Sequence, residues 1–402
     1  FLHRNTRKMA SLEVVVNQRD MQKCNQSKGK AAKAKSKPEE PFVASRWTSE
    51  ASWAELRGLD PEALAGAVRD VLERLQTRGN DTLASAERRA AGLDVAGLIR
   101  GLGAAGLWRL GLIDAIRDLL DGGLVEGIEG ALFSIEALVK DEVGCAWFEP
   151  YAVDLIPIIL RKADHKASPV RVGVERTLRA IVVSLNPRAA RLVLPQLFES
   201  MESPDWRIKY VAVSLVGSLA KNASSQINIC MPMIVPRLTT CLRDTKKEVS
   251  KAARSALTEA CSVIGNPDID PVVPSVIAAI KDPKNTPKAL DNLLHTTFVH
   301  TVDAATLSVI VPVLARSLVD RGMHPKRKTA TVIVNMCKLV QNPVDVEPFV
   351  PKLLPELVKC AEEAAFEEIR DVCADAVAVL TKAMEAANLS SGAMEAANLA
   401  SS

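Results

Sequence analysis

The sequence is poor in the residues that build β-structure. Aromatic residues make up only 4% of the 402 residues, whereas the broader apolar set makes up 48%. This balance disfavours a β-sandwich or barrel and suits helices that pack through Leu, Val, Ile and Ala. Eight cysteines are present and no two form a C-x-x-C pair. They therefore indicate buried thiols in a reducing compartment rather than disulfides or a zinc site.

Membrane-spanning segments and catalytic motifs are also lacking. The longest apolar runs, such as Leu155–Leu160, fall far short of the ~20 residues that cross a bilayer. There is no G-x-x-x-x-G-K-[ST] phosphate loop and no G-x-S-x-G elbow. His295 and His300 are five residues apart, which places them on different faces of a helix. We therefore predict a cytoplasmic protein with no catalytic residue, metal, cofactor, membrane contact or small-molecule substrate.

The net charge of +3 is distributed unevenly. Residues 1–47 contain 11 Lys/Arg against 4 Asp/Glu, so the remainder of the chain carries about −4. We expect this basic leader to be disordered, because residues 22–40 offer almost nothing to bury. It is either an arm for RNA or another polyanion, or a solvated leader without a fixed partner. The chain starts at Phe1, and Met9 is a plausible initiator.

A short apolar run containing a proline recurs along the rest of the chain. The gaps between these prolines are 38, 41, 38, 38 and 43 residues, at Pro157, Pro195, Pro236, Pro274, Pro312 and Pro355. A period near 40 is typical of HEAT repeats, which are pairs of antiparallel helices joined by a tight turn. The sequence thus predicts an all-α, HEAT/armadillo-like solenoid of about seven hairpins over residues 105–383. A helical segment (48–104) precedes it, and a tail (384–402) follows, in which Ala383–Leu389 recurs as Ala393–Leu399.

Acidic residues and apolar stripes recur in step with these prolines. Asp244, Asp282 and Asp320 each lie eight residues after a proline, and Asp164 lies seven after one. We predict that these acids cap the second helix of their hairpins. The second helices carry apolar stripes of period 3.6, which need a neighbouring repeat to cover them. The stripes are Val174, Leu178, Ile181, Val182 and Leu185; Ile208, Val211, Ala212, Leu215 and Leu219; and Ala330, Ile333, Cys337 and Val340.

Part of this region resembles the HEAT domain of fungal-type translation elongation factor 3. The matching strings are Asp244–Val249, Thr296–Val299, Ala305–Pro312, Lys326–Lys328 and Asn335–Val340. Similar strings occur in the large HEAT scaffold that activates the amino-acid-starvation kinase. The resemblance implies a ribosome-bound cytoplasmic protein of translation elongation, whose HEAT domain docks on ribosomal RNA and protein. That family has two downstream ABC-type ATPase domains, and this chain has none, so it is either a fragment or a truncated paralogue.

Basic residues in the turns are the candidate binding residues. We predict that a ridge binds ribosomal RNA through Lys246, Lys247, Lys251, Lys284, Lys288, Lys326, Arg327 and Lys328. The alternative is that these residues only keep exposed turns soluble. Trp206 and Arg207 are a second candidate contact. We expect a monomeric, ribosome-binding module without ATPase activity. The other hypotheses are a scaffold for translational control through a kinase, and a tubulin-binding array of the TOG class.

Overall fold

The computed structural model describes residues 43–141 and 144–400, without the side chains of residue 145 and residues 390–400. Within these ranges the chain forms α-helices and short 3₁₀ turns, and no strand. The predicted all-α class is therefore confirmed. Most of the predicted basic leader lies outside these ranges.

The described residues contain eighteen α-helices. In chain order they are α1 (Glu50–Gly58), α2 (Pro61–Arg74), α3 (Thr82–Leu102), α4 (Ala105–Arg109), α5 (Leu112–Asp121), α6 (Val125–Lys140), α7 (Gly144–Arg161), α8 (Ser168–Ser184), α9 (Ala190–Met201), α10 (Trp206–Asn222), α11 (Ser224–Cys241), α12 (Lys247–Cys261), α13 (Val273–Lys281), α14 (Thr286–His295), α15 (Ala304–Leu318), α16 (Met323–Cys337), α17 (Val350–Glu363) and α18 (Glu367–Ala400). Seven hairpins, from α5–α6 to α17–α18, follow the predicted repeats, and α2–α3 forms another hairpin before them.

The hairpins stack in two layers. The second helices pack in the order α3, α6, α8, α10 and α12, and again in the order α14, α16 and α18. The first helices form the other layer, from α5 to α11 and from α13 to α17. The second-helix layer is interrupted between α12 and α14, which hardly touch, whereas α11 packs directly against α15. The short helix α13 leaves room for this contact.

The apolar stripes face one continuous core. All five stripe residues of α8 are buried, as are four of the five on α10, where Ile208 is half-buried. On α16, Ala330 and Ile333 are buried, while Cys337 and Val340 are half-buried. The predicted stripes are thus confirmed, and they weaken only towards the end of α16.

The recurring prolines lie in the first helices, as the repeat phase predicts. Five of them are inside their helices: Pro157, Pro195, Pro236, Pro312 and Pro355. Pro274 differs, because it is the second residue of α13. A proline at that position removes no intrahelical hydrogen bond, so it costs the helix little.

Three of the turn acids form hydrogen bonds within the turn that precedes the second helix. Each carboxylate of Asp244, Asp282 and Asp320 accepts a hydrogen bond from the backbone N–H two residues further on, at 2.8, 3.1 and 2.9 Å. These bonds close the turn that precedes the second helix. The prediction that these acids cap the second helix is therefore wrong for Asp244 and Asp320, whereas Asp282 caps the 3₁₀ turn Pro283–Asn285 that leads directly into α14.

Buried ion pairs hold the first hairpin. The Arg74 guanidinium lies 2.5 Å from Glu87 and 2.6 Å from Asp94, whose side chain is fully buried. Arg88, only 2% exposed, binds Glu129 of α6 at 2.7 Å. Because charged residues occupy inward positions of α3, its sequence lacks the apolar period that marks the later repeats.

Glycines allow close backbone approach at several places, including one on α6 and one on α10. A Cβ on Gly130 of α6 would lie 2.2 Å from the carbonyl oxygen of Leu75, just after α2. A Cβ on Gly217 of α10 would lie 3.2 Å from the Cα of Ala256 on α12. These contacts bring neighbouring helices closer together than any larger side chain permits.

We predict that Leu215→Asp destabilises the chain by at least ~3 kcal/mol, because it buries an unpaired charge between α10 and its neighbours. Leu215 is 3% exposed, whereas Leu192 of α9 is 64% exposed. Leu192→Asp is thus the matched control, expected to change stability by less than ~0.5 kcal/mol. Urea unfolding followed by circular dichroism measures both. Equal shifts for the two variants would contradict the assigned core.

We also predict that Gly130→Ala destabilises the chain by ~1–3 kcal/mol, because the new methyl group collides with the Leu75 carbonyl. Gly123→Ala is the control, since a Cβ there meets no atom within 4 Å. Thermal unfolding of the two variants should separate them clearly. A wild-type transition for Gly130→Ala would show that α6 and the end of α2 are further apart.

Candidate functional site

Four lysines of the predicted ridge are exposed and unpaired. Lys246 and Lys247 stand at the start of α12, Lys284 lies in the 3₁₀ turn after Asp282, and Lys288 lies in the first turn of α14. None of these lysines makes an ion pair within the described parts of the chain. Their ammonium groups are therefore available to an external anion.

The basic triplet of α16 is less available. Lys326 is half-buried, Arg327 forms an ion pair with Glu368 of α18, and Lys328 lies 2.5 Å from Asp291 of α14. These two pairs join α16 to the neighbouring second helices. An anion that binds Arg327 or Lys328 has to compete with a carboxylate that is already in place.

Sequence reasoning missed two further cations near these turns. Arg243 follows α11 and Arg316 lies in the last turn of α15. Burial lowers the pKa of Arg316, and the nearby charge of Arg243 lowers it further. The turns of the α11 and α15 hairpins therefore bring like charges together. Arg243 and Arg316 are far apart in the sequence, so their proximity becomes visible only from the packing of α11 on α15.

Lys251 belongs to a different surface. It lies one helical turn after Lys247 on α12 and lines a groove of about 860 Å³ across α8, α10 and α12. Trp206, Arg207 and Tyr210 of α10 line the same groove. The structure thus separates Lys251 from the turn lysines and places it with the second candidate contact.

Trp206 and Arg207 are half-buried and stacked on each other. The Arg207 guanidinium lies 4.8 Å from the centre of the Trp206 ring and 3.2 Å from Asp164. Asp205 caps α10 directly, since its carboxylate accepts hydrogen bonds from the N–H groups of Arg207 and Ile208. Asp164, predicted to be a helix cap, is instead an ion-pair partner. The tubulin hypothesis rested on the Trp206–Arg207 turn, where Arg207 is already paired with Asp164.

Metal and thiol chemistry find no support in the described ranges. These ranges hold no set of three His, Cys, Asp or Glu side chains placed to bind a metal ion. His300 is engaged with Asp268, its Nδ1 lying 2.7 Å from the carboxylate. Burial raises the pKa of Cys261 to about 12 and that of Cys337 to about 11, so both thiols stay protonated at neutral pH. No helix among the described residues is long and apolar enough to cross a membrane.

Two family models match this chain, and both describe HEAT repeats. Residues 88–257 match the EF3 N-terminal HEAT repeat. Residues 284–391 match the Elongation factor 3/GNC1 HEAT repeat. Residues 258–283, between the two matches, contain the end of α12 and helix α13, which separate the start of α12 from α14 along the chain.

Relatives with these repeats are much longer than this chain. Elongation factor 3 of Gonapodya prolifera is 36% identical over 79% of this chain and 29% of its own length. Protein ILITYHIA of Arabidopsis thaliana is 37% identical over 74% of this chain, which is 11% of that protein. The stalled ribosome sensor GCN1 of Homo sapiens is 34% identical over 78% of this chain and 12% of its own length. Together with the two family models, these relatives show that the chain carries an elongation factor 3-type HEAT-repeat region related to that of GCN1.

Proposed function

We propose that this chain is a cytoplasmic, ribosome-binding HEAT module that acts in translation elongation and binds ribosomal RNA through a cationic ridge. The ridge comprises Lys246, Lys247, Lys284 and Lys288, with Lys326, Arg327 and Lys328 at one end. The observation that carries this proposal is the set of four exposed lysines at the starts of α12 and α14 that form no ion pair with any described residue.

Their backbone setting supports anion binding. The turn carboxylates of Asp244 and Asp282 accept hydrogen bonds from the N–H groups of Lys246 and Lys284. Neither carboxylate forms an ion pair with a ridge lysine. Lys247 and Lys288 lie in the first turns of their helices, where the helix dipole adds positive potential. The exposed lysines and the helix starts therefore supply positive potential at each of these two turns.

The names of the relatives agree with a ribosomal partner. An elongation factor and a stalled ribosome sensor are both similar to this chain over more than three quarters of its residues. The chain spans at most about three tenths of their length, so the activity of the whole relatives is proposed here only for the HEAT region. Both matching family models describe HEAT repeats and neither describes an ATPase. We therefore assign the chain binding without catalysis.

A second candidate is a scaffold for translational control. The eIF-2-alpha kinase activator GCN1 of Dictyostelium discoideum is 34% identical to this chain over 80% of its residues. That identity is close to the 36% of the elongation factor, so identity does not separate the two functions. A binding assay of the purified chain with ribosomes and with an eIF-2-alpha kinase would separate them. Kinase binding without ribosome binding would favour the scaffold.

We predict that Lys246→Glu, Lys247→Glu and Lys284→Glu together weaken ribosome binding and its salt dependence. Each lost phosphate contact should reduce the log–log salt slope by roughly 0.7–0.9. Three contacts therefore amount to about 2–3 units of slope. Co-sedimentation with ribosomes across a potassium chloride series measures both quantities.

The matched control reverses three exposed lysines elsewhere, Lys338, Lys352 and Lys359. It changes the net charge by the same amount and should leave the slope close to wild type. Reversal of Lys326, Arg327 and Lys328 should have a smaller effect than reversal of the free lysines, because two of these side chains already bind carboxylates. Overlaying curves for wild type and the first triple variant would reject the ridge.

A further inference from the structure

We propose that the groove across α8, α10 and α12 binds an extended, acidic segment of a partner protein. This groove lies on the outer face of the second helices, whereas the ridge lies at the turns. The two surfaces are therefore separate binding sites, and the groove does not depend on the proposed ribosome contact.

The floor of the groove is made of small side chains. Ser214, Gly217 and Ser218 come from α10, and Ala252 and Ser255 come from α12. Gly217 lets α10 approach the backbone of Ala256 closely. A long trough without large side chains lets the main chain of a ligand come close to the two helices.

Hydrogen-bonding polarity favours a peptide over a nucleic acid. The Ser214 hydroxyl donates its proton to the carbonyl oxygen of Tyr210 at 2.8 Å, and the Ser218 hydroxyl donates to that of Ser214 at 3.3 Å. Their lone pairs remain available, so both hydroxyls offer acceptors to the groove. A peptide main chain supplies an N–H donor at nearly every residue, whereas the phosphate groups of RNA supply none and its donors are confined to the 2′-hydroxyls and the bases.

The charge of the groove lining determines the charge expected of its ligand. Five basic and three acidic side chains line the groove, which gives it a net positive charge. Lys221 and Glu259 neutralise each other at 2.9 Å, whereas Arg179 and Lys251 have no ion-pair partner in the described ranges. An acidic segment would satisfy these two cations. Glu175 and Glu248 would repel the uniform negative charge of RNA, so a peptide with spaced carboxylates fits better.

Apolar side chains beside these charges mean that the ligand should also contain apolar residues. Val183 of α8 is 57% exposed, and the rings of Trp206 and Tyr210 are half-buried in the groove wall. Helices pack ~8–10 Å apart, so a segment that crosses three of them covers about 20 Å. An extended chain rises ~3.3 Å per residue and needs roughly six to eight residues. The ligand is thus a short stretch that combines acidic and apolar residues.

The chain's own leader does not fit this description. Residues 1–47 contain 11 Lys/Arg against 4 Asp/Glu. A basic segment would be repelled by the cationic lining, so this leader is a poor occupant of the groove.

Selection from a phage-displayed library of random dodecapeptides on the full chain tests this proposal. We expect the enriched peptides to combine Asp or Glu with apolar residues. Arg179→Glu and Ser255→Tyr should each weaken the binding of a labelled selected peptide by about tenfold or more. The first variant reverses the free charge, and the second fills the floor from an exposed position.

Arg188→Glu and Ser225→Tyr are the matched controls, since both residues are exposed and lie outside the groove. Fluorescence anisotropy gives the affinities, and circular dichroism confirms that every variant is folded. Lys284→Glu together with Lys288→Glu, a ridge variant outside α12, should leave peptide binding unchanged, which distinguishes failure of this proposal from failure of the ribosomal one. The proposal is overturned by recovery of no peptide, by basic peptides, or by equal losses in the controls. A polyuridylate oligonucleotide that binds more weakly to the groove variants would instead assign the groove to nucleic acid.

Discussion

The whole array depends on apolar stripes that a hairpin cannot bury by itself. Leu178 of α8 and Leu215 of α10 are buried only because neighbouring second helices cover them. Burial contributes ~25 cal/mol per Å² of apolar surface, so each added hairpin stabilises the one before it. This requirement fixes the inward positions of every second helix. It leaves the turns and the outer helix faces free to carry charge, and both candidate sites lie there.

The turn site and the groove are products of the same helix geometry. Lys247 starts α12 at the turn edge, and Lys251, one turn later, already lines the groove. A rise of ~1.5 Å per residue separates them by about 6 Å along the helix. Lys247 and Lys251 thus lie one turn apart on the same face of α12, and of the two only Lys251 lines the groove. The groove also needs the small, uncharged residues of α10, such as Gly217, which no charge pattern in the sequence marks as part of a site.

The periodic part of the structure could be predicted from the sequence, because the proline signal recurs in six of the seven hairpins. The proline positions and the stripe of α8 follow directly from spacing. The first hairpin was less visible because Arg88 and Asp94 occupy buried positions, and their partners lie on other helices. The same limit applies to the ridge. From the sequence alone, Arg327 is expected to be a free charge. In the structure it pairs with Glu368, which lies 41 residues later on α18. Pairing across repeats depends on the rotation of each helix, which spacing alone does not give.

The interruption of the second-helix layer between α12 and α14 affects how the two parts of the ridge are positioned. Lys247 and Lys284 lie on opposite sides of it, in the regions matched by the two different family models. Because α12 and α14 hardly touch, their relative position is set by the packing of α11 on α15 in the other layer. The turns that carry Lys247 and Lys284 are therefore held relative to each other through the first helices, and not through direct packing of the two helices on which these turns open.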